Sequence, residues 1–232
     1  MPGVLGGMGP ATTVDFMSTV LDLTQGDRDQ DHIPMLIDHN PLVPDRQPAI
    51  HGDDGAVRTA LVDMAQRLER AGADFLVMPC NTAHLFIDDA LQVVSLPFLS
   101  IVDVTLEALL MSRRSVGLLA ADATLYSELY QTALIAAGHQ VILPVQSDQR
   151  ALMDHIFSIK RGQLNVRQPL IEICERLVKG GAEAIVLGCT ELPLILGPRS
   201  LRVPVISSTA ELARATIGVA TGRRPLPPTP NP

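Results

Sequence analysis

The chain has 232 residues, 47% of them hydrophobic and 3% aromatic, with no Trp and a formal net charge of −7. This composition supplies the core of one large or two small α/β units and excludes a disordered or fibrous chain. Sparse aromatic rings and negative charge argue against nucleic acid as a partner, and no apolar run reaches the roughly 18 residues of a membrane span. Three cysteines without ladder spacing, Cys80, Cys174 and Cys189, and no leader pattern at the start predict a reducing, cytoplasmic setting.

In chain order, Gly3-Val4-Leu5-Gly6-Gly7-Met8-Gly9-Pro10 reads as a short strand, a glycine-rich turn and a helix start. Pro10 suits the first helical position, and Val14, Met17 and Leu21 give a helical face up to about Leu23. Such a turn is an anion site or simply a tight connection; it has neither dinucleotide nor P-loop spacing. Residues 25–31 are polar loop, and Ile33–Ile37 a second strand. Asp38–Pro48 is a proline-containing loop carrying His39, Asn40, Arg46 and Gln47. It follows a strand, so in a parallel sheet it shares a side with Cys80; by position alone Arg46 is equally a solvated cation. Gly55–Ala71 is an amphipathic helix with Val57, Leu61, Met64, Ala65 and Leu68 on one face. Gly72 stops it. The apolar run Phe75–Met78 is a buried strand ending at Cys80-Asn81-Thr82, residues 84–94 form a helix, and Leu96–Ile101 is a further strand.

The second half uses the same order. Val102–Met111 is a helix, Ser115–Leu119 a strand, Ala120–Thr124 its turn, Leu125–Ala137 a helix closed by Gly138, and Gln140–Leu143 a strand. Gln149–Lys160 is a helix ending in Lys160-Arg161-Gly162, where cations are common for dipole reasons alone. Arg167–Lys179 mirrors the Gly55 helix, with Cys174 on its apolar face as an inert core thiol. The strand to Cys189, the strand Val203–Ile206 and the helix Thr209–Thr221 follow. From Arg223 the tail carries five prolines and is expected to be disordered or loosely attached.

Gly72–Cys80 and Gly181–Cys189 are echoes of one another at an offset of 109 residues. Alternating strands and helices predict an α/β fold of two similar lobes, each a parallel sheet flanked by helices, with a site in the cleft between them. The lobes are expected over residues 1–100 and 101–207, with the last helix (208–222) packing back on the first and the tail over 223–232. Ligands bind beyond the carboxyl ends of such strands, where Cys80 and Cys189 stand. Four readings compete for them. Core residues fit poorly, because polar Asn81-Thr82 and Thr190-Glu191 follow. Metal ligation lacks a CxxC or HxxxH pattern, and His84 alone is a poor partner. A disulfide is disfavoured in the cytosol. The fourth reading is a pair of acid/base or nucleophilic thiols: inversion of a weakly acidic C–H needs one group on each face, and thiol and thiolate are both reachable near neutrality. Helix N-termini at each turn are expected to favour the thiolate, and backbone N–H groups around Asn81-Thr82 and Thr190-Glu191 to hold a carboxylate.

Gly6-Gly7-Met8-Gly9-Pro10, Met78-Pro79-Cys80-Asn81-Thr82-Ala83-His84 and Gly188-Cys189-Thr190-Glu191, in that order and spacing, resemble the aspartate/glutamate racemase family, within it the cofactor-independent aspartate racemases. The resemblance spans residues 3 to 220. It implies racemisation of a small amino-acid substrate by Cys80 and Cys189 without pyridoxal phosphate or metal, in a homodimer. It places Met8, Asn81, Thr82, Thr190 and Glu191 in the substrate pocket, with Gln47 and Thr124 beside them. It makes Arg46 and Lys160 the cations for a side-chain carboxylate. Glu191 stands where the glutamate racemases carry a histidine, which favours aspartate. Ala120-Ala121-Asp122-Ala123-Thr124 departs from the family's Ala-Thr-x-Gly-Thr and sets Asp122 near a pocket for an anion. The alternatives are a glutamate or broad-specificity racemase, a maleate-type cis–trans isomerase, and a non-catalytic dicarboxylate binder.

Overall fold

The computed structural model describes residues 1–109 and 115–229. The elements, in order, are β1 (Pro2–Gly6), α1 (Pro10–Leu23), β2 (Leu36–His39), α2 (Arg46–Ala49), α3 (Gly55–Arg70), β3 (Phe75–Val77), α4 (Asp88–Val93), β4 (Phe98–Leu99) and α5 (Ile101–Glu107). The second series is β5 (Ser115–Leu119), α6 (Asp122–Tyr126), α7 (Gln131–Ala136), β6 (Gln140–Ile142), α8 (Gln146–Lys160), α9 (Arg167–Lys179), β7 (Ala184–Leu187), β8 (Val205–Ser207) and α10 (Ser208–Ala220). Two four-stranded sheets result, ordered β2-β1-β3-β4 and β6-β5-β7-β8. Every neighbour pair is parallel, as the alternating pattern predicts. Among the described residues no helix is long and apolar enough to cross a membrane.

Strand alternation sorts side chains into three cores. Val4 and Val77 from one sheet, and Val116, Leu118 and Val186 from the other, share a central core with α1, α5 and α10. Leu5, Leu76 and Met78 face α3 and α4 on one outer side, and Leu119, Ile185 and Leu187 face α8 and α9 on the other. The duplication extends to packing. A Cβ on Gly3 of β1 would meet the Cβ of Ala73 at 2.8 Å, and one on Gly117 of β5 would meet Ile185 Cδ1 at 2.5 Å. Both middle strands use glycine so that α3 and α9, through Leu68 and Leu177, approach closely. The helices after β4 and β8 start alike, with the Ser100 and Ser207 hydroxyls accepting from Asp103 and Ala210 N–H.

The fold departs from the expected elements in several places. The Leu125–Ala137 helix is two pieces, broken at Glu128, whose φ of 55° no helix continues. The Pro-containing loop after β2 contains α2, capped by the Asp45 carboxylate accepting Gln47 N–H at 3.0 Å. β2 lies three residues later at its start than the apolar run Ile33–Ile37, because its register with β1 reaches Asp38 and His39. β4 is only two residues, since Ser100 caps α5 and ends the strand. Leu110 and Met111 of the expected helix lie outside the described residues. The start of the tail is not loose: Arg224 donates to both oxygens of Glu107 at 2.5 and 2.8 Å. α10 packs against both α1 and α5.

Candidate active site

In each sheet the chain leaves the middle strands in opposite directions, so the carboxyl ends of β1 and β3, and of β5 and β7, form switch points that leave a crevice. The two crevices face one another across a single cleft. Its walls include Met8 beyond β1, Cys80, Asn81 and Thr82 beyond β3, and Cys189, Thr190 and Glu191 beyond β7. Arg46 and Gln47 of α2 and Lys160 at the end of α8 close it. The cleft is narrow, with a cavity volume of about 20 Å³, room for roughly one water.

The two strand ends are built alike. Cys80 and Cys189 are each 6% exposed, and all three cysteines are free thiols. A short 3₁₀ turn follows each thiol, Thr82–Phe86 after Cys80 and Leu192–Leu194 after Cys189. Backbone N–H groups of these segments, from Ala83 and Glu191, bond the two sulfurs and favour the thiolate. The turns thus favour the thiolate as expected, but they do not decide the balance. Burial pushes both thiols up and outweighs these short turns.

The charges around the thiols differ. For Cys80, burial is opposed first by the Arg46 guanidinium. For Cys189, burial is reinforced by the Glu191 carboxylate, which accepts its S–H at 3.1 Å and holds it well above the ordinary thiol range. Cys189 therefore rests as a thiol; Lys160 favours a thiolate at both sulfurs, and Cys80 has the Arg46 guanidinium as well. Glu191 also pairs with Lys160 at 3.6 Å. Burial pulls the Lys160 ammonium down, but the Glu191 carboxylate, and negative charge on either sulfur when it forms, pull it further up, and it stays charged. Arg46 is steadied by donating Nη1 to the Val43 and Pro44 carbonyls at 3.1 and 2.8 Å.

Supporting groups fix the first turn. His84 Nε2 accepts Ile101 N–H at 3.1 Å, so Nδ1 carries the proton and donates to the Cys80 carbonyl at 2.8 Å. Burial holds this ring to a pKa of about 4, against the opposing bond to Cys80. It is a neutral clamp on the backbone of Cys80. The Asn81 side chain is pinned at both ends: Tyr130 O–H donates to its Oδ1 at 2.5 Å, and its Nδ2 donates to Ser208 Oγ at 3.1 Å. Ser208 in turn donates to the Leu187 carbonyl at the end of β7 at 2.9 Å. Asn81 is thereby tied to both sheets.

Of the residues singled out in the sequence, Met8, Arg46, Gln47, Cys80, Asn81, Thr82, Lys160, Cys189, Thr190 and Glu191 line the cleft. Thr124 does not; it lies behind Thr82, hydroxyl to hydroxyl at 2.9 Å. Gln47 spends its Oε1 on Ala123 N–H at 3.0 Å, latching α2 to α6 across the cleft. Asp122 points to Gln149 at 2.7 Å and is not a cleft wall. Asp45, Ala121, Met153, Ile156 and Phe157 are walls that sequence reasoning missed; the last three share one face of α8, at a spacing that also reads as core. Cys174 is fully buried on α9, its thiol pushed up to about 12 by burial.

The fold and site thus define a two-lobed α/β protein with one buried thiol from each sheet in a shared cleft. The chain belongs to the Asp/Glu/Hydantoin racemase family, whose sequence pattern matches residues 5–216. It is 31% identical over 226 residues to the broad specificity amino-acid racemase RacX of Bacillus subtilis (strain 168), covering 94% of this chain and 96% of the relative. The fold superposes on a Picrophilus torridus aspartate racemase with a TM-score of 0.82 at 31% identity, over 94% of this chain and 93% of the other. An aspartate racemase homologue from Pyrococcus horikoshii OT3 gives 0.79 at 27% identity, over 95% and 98%.

Proposed function

We propose that this protein is a cofactor-independent amino-acid racemase in which Cys80 and Cys189 work on opposite faces of Cα. One buried thiol from each sheet in one cleft is the observation that carries the reading. A Cys80 thiolate, supported by Arg46, takes the α-proton. The electron pair passes into the carboxylate, giving a planar, enolate-like intermediate. Backbone N–H groups of the turns after Cys80 and Cys189 hold that carboxylate and take up its charge. The Cys189 thiol, kept protonated beside Glu191, delivers its proton to the other face and is left as thiolate. The reverse direction uses the same two groups with roles exchanged.

Aspartate is the first substrate of this reading, because Arg46 and Lys160 offer two cations. The Lys160–Glu191 pair favours a second reading, a wider substrate range, since Glu191 already occupies one of those cations. The test is a chiral assay of L-aspartate with purified enzyme, no pyridoxal phosphate and chelator present. Formation of D-aspartate supports the first reading; inversion of other amino acids but not aspartate supports the second; inversion of none contradicts both. A homodimer belongs to the proposal. The exposed stripe Val14, Met17 and Leu21 on α1 offers apolar surface for it, and sedimentation equilibrium reads the mass. So does a cytoplasmic location, which fits three free thiols.

A further inference from the structure

We infer that the site has a side-chain chamber beyond the Arg46–Lys160–Glu191 trio, fitted to amino acids whose side chain is longer than aspartate's, aliphatic along its stem and free of a carboxylate. This rests on the racemase reading of the thiol cleft. The chamber is a second cavity that shares Arg46, Lys160 and Glu191 with the cleft and is lined by neither thiol. By the same measure its free space is about 180 Å³ against about 20 Å³ in the cleft.

Direction, wall chemistry and charge point the same way. Asn81, Thr82 and Thr190, which follow the thiols, line the cleft and not the chamber. A substrate with Cα between the sulfurs and its carboxylate on those turns has its side chain left to run elsewhere, and the trio is where the two cavities meet. The chamber walls are mainly apolar: Pro10, Pro41, Ile159 and Leu194, the last two from the second lobe. Each methylene buried against such surface is worth about a factor of four in binding. The chamber's charged side chains are the trio itself, two cations and one carboxylate, with Lys160 paired to Glu191 at 3.6 Å and Arg46 donating to the Val43 and Pro44 carbonyls. An uncharged side chain leaves the Lys160–Glu191 pair intact, whereas a side-chain carboxylate there competes with Glu191 for Lys160.

The experiment follows α-proton exchange in heavy water for L-norleucine and L-aspartate. It compares the unmodified enzyme with Leu194→Trp and, at the exposed rim of the chamber, Ala11→Trp. The unmodified enzyme is expected to exchange norleucine. Each tryptophan is expected to lower the norleucine-to-aspartate ratio of kcat/KM by about ten-fold or more. Exchange of aspartate without norleucine, or an unchanged ratio in both folded variants, overturns the chamber and leaves the racemase reading standing. Exchange of neither amino acid overturns the chamber, and the racemase reading then falls only if no other amino acid is inverted either.

Discussion

The turns after β3 and β7 place a thiol at the same point of the same frame, equally buried and bonded by a backbone N–H of the following segment. Yet Cys80 has Arg46 among its neighbours, whereas Cys189 gives its proton to a hydrogen bond with Glu191. Cys80 also has a clamp, His84, at the position where the second turn carries Pro193, which has no such group. Duplication thus sets where the two sulfurs stand, and single residues that the halves do not share set their protonation. A symmetric frame with asymmetric charge suits a reaction that needs an acid and a base on opposite faces at the same moment.

The most direct way to break the comparison is to remove one sulfur. Cys80→Ser and Cys189→Ser are each expected to lower racemisation by about a thousand-fold or more, read by chiral chromatography. Cys174→Ser, outside the cleft, is expected to retain activity. Near-normal turnover in either cleft variant contradicts the two-base account.

The clamp sharpens the comparison through pH. Folded His84 titrates at about 4, below its ordinary 6.5. Below pH 6.5 the unfolded chain therefore takes up a proton that the folded chain refuses. This contribution to stability is full above about pH 6.5 and is lost as pH falls towards 4. Its size is at most about 3 kcal/mol, less for a ring that is partly exposed. Urea denaturation at pH 7 and 4.5 is expected to show a smaller acid loss for His84→Gln than for the unmodified chain. Equal losses remove His84 from this role.

Tyr130→Phe tests the tie between the sheets. It strips the donor from buried Asn81 Oδ1, which costs about 1–3 kcal/mol. A lower melting temperature and a KM that rises more than kcat falls are expected. Glu191→Gln removes the carboxylate that holds Cys189 protonated. Alkylation of Cys189 by iodoacetamide, followed by peptide mass, is expected to move to lower pH, while that of Cys80 moves less. A larger shift at Cys80 reverses the assignment of acid and base.

Much of this was legible in the sequence. Strand alternation, helix faces and the 109-residue echo carried both sheets and the two cysteines, because each is a local pattern repeated twice. What stayed hidden depends on distant partners. Tyr130 lies 49 residues from Asn81, and Ser208 lies 127 residues from it, so nothing local marks them as one network. The family resemblance sets Thr124 beside the pocket, but its hydroxyl is bonded to that of Thr82 from the other half, a partner that no local pattern marks. Met153, Ile156 and Phe157 read as ordinary core spacing, since a helix face carries no sign of whether it meets a sheet or a cleft. The raised thiols depended on burial, which a turn motif does not report.

The most direct test of the two-thiol account is where deuterium first appears when L-aspartate is turned over in heavy water. Two bases predict that newly formed D-aspartate carries deuterium at Cα from the start, while the remaining L-aspartate keeps its proton in early turnover. Early D-aspartate that retains the substrate's own α-proton, or deuterium entering L-aspartate as fast as D-aspartate forms, would contradict the assignment of one sulfur to each face.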